Sequence, residues 1–154
     1  MLMENTIDIE KIIREYIDKT IHMSLATASN NTPWVCEVQF AYDDELNIYF
    51  RSPLARRHSQ EIASNSSVAG NIVDKYEVGG DFVGVYFEGN AKMLEAGDEQ
   101  NIAFECIKAR LNTSDDILEE ATIDKGFRFY KISVDNWYVY GAFEGNSARK
   151  YKLS

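Results

Sequence analysis

The sequence predicts an α+β fold in which six or seven antiparallel strands form a small barrel with flanking helices. Three observations carry this expectation. Apolar residues recur with period two over most of the chain, turn-rich segments join these stretches so that neighbours can pair as hairpins, and helical periodicity is confined to a few segments between them. With 154 residues, 45% of them hydrophobic, the chain is expected to form one domain, residues 1–154, with a core of its own. So few antiparallel strands generally close into a barrel.

The elements follow in order. Thr6 can cap a helix over residues 7–19, in which Asp8 and Glu10 favour the positive end of the dipole and Ile9, Ile12, Ile13, Tyr16 and Ile17 form an apolar stripe. Ile21, Met23 and Leu25 then alternate with His22, Ser24 and Ala26, which is strand chemistry, before the turn residues SNNTP. In WVCEVQFAY one face is Trp34, Cys36, Val38, Phe40 and Tyr42, and DDELN turns this run into LNIYF. SVAGNIVDKY is a further strand. FVGVYFEGNAKMLEA is the longest, with Gly84 and Gly89 at positions that suggest close backbone approach or a bulge. DEQNIAFECIKARL reads as a helix offering Ile102, Phe104, Cys106, Ile107 and Leu111 for burial, TSDDILEEA as a short capped helix, and FRFYKISVDNWYVYGAF as strand again.

Composition excludes several function classes. Sixteen Lys and Arg against 25 Asp and Glu give a net charge of −9, which opposes long-range attraction to nucleic acid or anionic lipid. No stretch approaches the roughly 18 apolar residues of a spanning helix, and the first residues lack a basic, signal-like region. A protein neither secreted nor membrane-spanning is expected. Cys36 and Cys106 match no metal spacing and read as reduced thiols, which fits the cytoplasm. Two histidines without a cysteine cluster make a poor zinc set, so no metal is expected. The acidic pairs at 43–44, 115–116 and 119–120 sit in turns or first helical turns, where solvated carboxylates are ordinary.

Against this acidic background FRSPLARRHSQEI stands out. Ser52 is a preferred N-cap residue and Pro53 a preferred first helical residue, so ARRHSQEIASN is expected to be a helix launched directly from the end of a strand. A helix N-terminus favours anions, and Arg56 and Arg57 add planar donors suited to phosphate oxygens. Two readings stay open from the residues alone: a phosphate cradle, or solvated arginines pairing with Glu61 or nearby carboxylates.

Three segments, MSLATASNNTPWVCEVQFAYDDELNIYFRS, RRHSQEIASNSSVAG and VGVYFEGNAKML, together resemble the pyridoxamine 5'-phosphate oxidase-like FMN-binding split barrels. The resemblance covers residues 20–95 well and 127–152 loosely, and is nearest to small bacterial members that carry Arg-His where the oxidase has Arg-Lys. It implies that Arg57 and His58 occupy the two basic FMN-phosphate positions, with Arg56 beside them, and that Ser52, preceded by Arg51, supplies a hydroxyl contact to the phosphate. It implies too that the flavin edge lies along Cys36, Glu37, Val38 and Gln39, where the family uses backbone groups. Tyr140 and Lys150 fall loosely at the positions of an aromatic and a basic residue contributed by the partner subunit. The resemblance brings a homodimer with it: the apolar strand faces built from Trp34, Val38, Phe40, Val83, Val85 and Phe87 are more than one barrel needs for its interior, and the surplus, with Trp137 and Tyr138, is expected to be buried between subunits. Histidine in place of lysine makes one phosphate contact sensitive to pH.

Departures from the family pattern bear on the reaction. Gly84 stands where the oxidase has a flavin-touching glutamine, and ARKYKLS has no counterpart of its C-terminal Arg-x-His pair. They argue against vitamin B6 oxidation and leave flavin binding standing. The expected function is an FMN-dependent oxidoreductase that passes hydride or electrons between a reduced nicotinamide and a small acceptor. The alternatives are a binding dimer that holds flavin, haem or a deazaflavin without turnover, or a cofactor-free structural dimer.

Overall fold

The computed structural model describes residues 8–75, 77–79, 83–141 and 149–152. Helix α1 spans Ile9–Ile17 and is capped by Asp8, whose carboxylate accepts from the Lys11 amide at 3.1 Å. The expected capping residue, Thr6, lies outside the described residues. Ile13, Tyr16 and Ile17 of the predicted stripe are buried, and Ile9 and Ile12 pack partly against the same core.

Strands β1 (His22–Ser29) and β2 (Thr32–Gln39) form a hairpin in full register from Ser29↔Thr32 to His22↔Gln39. The SNNTP segment is tighter than a loop, because Asn30 and Asn31 adopt φ of 49° and 60°, the left-handed pair a two-residue turn needs. Strands β3 (Ala41–Tyr42) and β4 (Ile48–Pro53) form the next hairpin, closed by Asp43, whose carboxylate accepts from the Glu45 and Asn47 amides. Helix α2 (Arg57–Ser64), β5 (Ser67–Ile72), β6 (Gly84–Met93), α3 (Asp98–Leu111), α4 (Ile117–Glu120), β7 (Phe127–Tyr140) and β8 (Arg149–Tyr151) follow.

The strands are all antiparallel in the order β2-β1-β5-β6-β7-β4-β3, with β8 added on β7. β2 and β3 sit at opposite ends of this order, yet Phe40 alone separates them in sequence, so the sheet has to curl until its ends meet. The Phe40 amide donates to the Ile21 carbonyl at that seam, 2.9 Å away. The result is the expected antiparallel split barrel, with two short strands, β3 and β8, among its eight. The expected bulge lies between Glu88 and Gly89, where a Cβ on Gly89 would stand 2.1 Å from the Ser133 carbonyl oxygen.

Two apolar clusters hold the fold. One fills the barrel and includes Met23, Leu25, Phe40, Ile48, Phe50, Val85, Phe87 and Trp137. The other lies where α3 and α4 cover the outside of β3, β4 and β7, around Tyr49, Ala103, Ile107 and Phe129. Helix α3 buries Gln100, Ala103 and Ile107, one helical face. Ile102, expected to be buried, is 48% exposed because it lies off that face.

Two further expectations are corrected. β4 extends through Ser52 and Pro53, which pair with Arg128 and Phe127 of β7, so neither begins a helix. Helix α2 starts four residues later with Arg56 at its N-cap. And Phe40, Val85, Phe87 and Trp137 are not surplus, since each is buried in the single-chain core. Among the described residues no helix is long and apolar enough to cross a membrane.

Candidate functional site

The chain leaves β4 at Pro53, makes a turn in which the Arg56 amide donates to the Pro53 carbonyl at 3.1 Å, and enters α2. Arg56 has an extended backbone and no side chain caps the helix, so the first N–H groups of α2 lack a side-chain acceptor. These groups border a cleft of about 560 Å³. β2 contributes Trp34, Cys36, Glu37, Val38 and Gln39, the end of β4 contributes Arg51, Ser52 and Pro53, and the start of α2 contributes Arg56, Arg57 and His58. The fourth wall, Ile107, Leu111 and Thr113 from α3 and the segment after it, with Phe127, is one that sequence reasoning missed. No local pattern marks those residues; they reach the cleft because α3 packs on the outer face of β4.

Nine of the eleven expected site residues, Cys36, Glu37, Val38, Gln39, Arg51, Ser52, Arg56, Arg57 and His58, thus line one cavity. Tyr140, opposite Gly84 on β6, is not among the described residues that line it. Lys150 lies on β8 opposite Tyr138, and its side chain is outside what the structure describes.

The four basic groups are in different states. Arg56 is exposed and its side chain makes no hydrogen bond or ion pair among the described residues. Arg57 donates from Nε to Glu61 Oε1 at 3.2 Å, with its guanidinium 4.3 Å from the centre of the Trp34 ring. Arg51 pairs with Glu120 of α4 and lies against the rings of Phe127 and Phe129. His58 is 8% exposed, and its Nε2 lies 2.6 Å from Ser52 Oγ. Burial, then the charge of Arg56, pushes its pKa below the ordinary range, against the opposing pull of Glu61. The ring is therefore neutral at neutral pH and acts on Ser52.

Burial also raises the Cys36 thiol, with Glu37 and Glu61 adding to the effect, so Cys36 stays protonated and is not an activated nucleophile. Its Sγ lies 3.8 Å from the Leu25 carbonyl oxygen, and the side chain packs partly on the barrel core. Arg51 Nε and Thr113 Oγ1, on residues of the same cleft, are buried with no hydrogen-bond partner. An uncapped helix start, an arginine with no partner among the described residues and two orphaned polar atoms around one cleft suit an anionic, hydrogen-bonding ligand. Among the described residues no group of three or more metal-ligating side chains comes together.

A family model described as pyridoxamine 5'-phosphate oxidase matches residues 9–141. The chain belongs to the pyridoxamine 5'-phosphate oxidase family. Within that setting it is 27% identical over 94 residues to UPF0306 protein plu4501 of Photorhabdus laumondii, a match spanning 60% of this chain and 65% of that one. The barrel resembles that of Campylobacter jejuni ChuZ, with a TM-score of 0.76 at 16% identity over 97% of this chain and 61% of the other. It also resembles a haem-binding protein of Mycobacterium smegmatis, with a TM-score of 0.71 at 18% identity over 90% of this chain and 55% of the other. At these identities the likeness establishes the split-barrel fold of the oxidase family.

Proposed function

We propose that the cleft binds FMN and that the protein is a flavin-dependent oxidoreductase of the pyridoxamine 5'-phosphate oxidase group, acting on a small molecule with a reduced nicotinamide as electron donor. The observation that carries this reading is the convergence of β2, the end of β4 and the uncapped start of α2 on one cavity. In this reading the phosphate sits on the first N–H groups of α2, with Arg56 and Arg57 supplying charge and Ser52 a hydroxyl oriented by His58. Cys36, Glu37, Val38 and Gln39 would line the cofactor's ring, and Ile107, Leu111 and Phe127 would supply apolar surface to the same cleft. When bound, FMN supplies hydride and single-electron transfer. The chain's own residues bind the cofactor, orient it and shield it, so no acid/base pair is required of them.

A homodimer is part of the proposal. Trp34 and Val35 are 40% and 60% exposed on β2, which among the described residues pairs with β1 alone, and burial against a second copy would remove them from water. Sedimentation of the flavin-free protein is expected to show a dimer, and a stable monomer overturns that part.

The test of the ligand is the visible spectrum of the freshly purified protein, followed by titration with FMN and riboflavin. Two flavin bands, bleached by a reduced nicotinamide and restored by an acceptor, are expected. A Soret band would make the cleft a haem site. A flavin that no nicotinamide reduces would make it a carrier, and no binding of either flavin overturns the assignment.

A further inference from the structure

Reading the cleft as an FMN site leaves one buried charge without a role. Glu61 is 7% exposed, and its two oxygens are used separately: Oε2 accepts from the buried Thr27 hydroxyl at 2.9 Å, and Oε1 from Arg57 Nε at 3.2 Å. Helix energetics does not explain the pair. An acid is favourable near the start of a helix and a base near its end, and in an i, i+4 pair the acid-first order is the better one. Arg57 and Glu61 have the opposite order on both counts. Core packing does not call for a carboxylate either, since an aliphatic side chain fills buried space without the desolvation that the pair must offset, as the next residue, Ile62, does.

The pair makes sense from the side of Arg57. A guanidinium carries five N–H donors in a rigid fork. Glu61 takes Nε, and the centre of the Trp34 ring lies 4.3 Å from the guanidinium carbon, so the group is held from two directions. Its Nη1 and Nη2 groups make no hydrogen bond among the described residues. Fixing a long side chain before the ligand arrives removes its rotamer entropy from the cost of association.

We propose that Glu61, anchored by Thr27, is a positioning residue that makes the cleft select phosphorylated over unphosphorylated flavin, by holding the terminal N–H edge of Arg57 toward the ligand phosphate. The inference rests on the FMN reading of the cleft. Its test compares wild type, Glu61→Gln and Thr27→Val in titrations with FMN and with riboflavin. A second measurement follows the Arg57 Nε–H resonance in flavin-free protein, assigned through Arg57→Lys. In Glu61→Gln, FMN affinity is expected to fall about five- to tenfold with riboflavin affinity unchanged. Thr27→Val shifts the ratio in the same direction by less. The wild-type Nε–H resonance is expected to be protected from exchange, and to lose that protection in Glu61→Gln. Unchanged or higher FMN affinity in Glu61→Gln, or an equal loss for riboflavin, overturns the proposal. A wild type that binds neither flavin overturns the FMN reading and the selectivity with it. A wild type that binds FMN but shows no protected Nε–H overturns the positioning role alone.

Discussion

Ser52 Oγ and His58 Nε2 lie 2.6 Å apart, both buried, and this contact joins the last residues of β4 to the first turn of α2. Around the ring stand Phe50, whose centroid is 6.3 Å away, the Arg56 charge and the Glu61 carboxylate. Because burial and Arg56 lower its pKa from 6.5, folded His58 stays neutral in a range where the unfolded chain takes up a proton. The unfolded state then binds more protons, so stability rises with pH through that window and is lost as pH falls below about 6.5. Above it His58 adds no pH dependence. Urea denaturation from about pH 7 down to pH 5 should show the decline, and His58→Gln should flatten it. Equal slopes for the two proteins would mean that His58 is not buried as a neutral ring.

The two arginines of the cleft should differ in what their loss does. Arg57, fixed by Glu61 and Trp34, is expected to contribute about 1.5–3 kcal/mol to FMN binding, so Arg57→Ala weakens affinity roughly ten- to hundredfold. Both side chains are exposed, but that of Arg56 has no hydrogen bond or ion pair among the described residues to hold it in place, and Arg56→Ala should cost about 1 kcal/mol or less. Riboflavin affinity serves as the control in both. Unchanged FMN binding in Arg57→Ala removes the phosphate from this end of the cleft.

Gly89 packs directly on the β7 backbone. A methyl group there meets the Ser133 carbonyl oxygen at 2.1 Å and the Val134 Cα at 2.9 Å, neither of which is a movable side-chain end. Gly89→Ala is expected to destabilise the barrel by about 1–3 kcal/mol in chemical denaturation. A neutral result would show that the β6–β7 bulge can relax.

Arg110 ties α3 to the barrel. Its guanidinium donates to the carbonyls of Ile17, at 2.6 Å, and Thr20, pairs with Asp18 at 3.1 Å, and stacks 5.0 Å from both Phe40 and Tyr42. It thereby satisfies carbonyls at the open end of α1. Arg110→Ala should cost about 2–4 kcal/mol of stability. Arg110→Lys keeps the charge but not the planar fork, and should recover less than half of that loss. Full rescue by lysine would reduce the role to charge alone.

Much of the molecule was legible along the chain because its signals are local. Alternation in MSLAT and in VGVYFEG marks β1 and β6, the stripe of α1 follows period 3.6, and Gly89 marks the bulge. Other signals misled for equally physical reasons. Ser52-Pro53 carries the chemistry of a helix start, yet pairing with Arg128 and Phe127 keeps both residues in the sheet, because tertiary hydrogen bonds outweigh a capping preference. Ile102 is as apolar as Ile107, and only the face that α3 turns to β4 decides which of them is buried.

By itself, then, the sequence determined most of the strands, a small antiparallel barrel and the basic cluster at the start of α2, since period, turn chemistry and residue type are properties of short segments, while the split form of the barrel came from the resemblance. The tertiary structure decided the states of the site's charges. Whether Arg57 meets Glu61 and Trp34, whether His58 is buried against Ser52, and whether Arg51 reaches Glu120 of α4 depend on which side chains the curled sheet brings within a few ångströms. Electrostatic energies fall with distance and change with burial, and neither quantity is written in the order of residues along the chain.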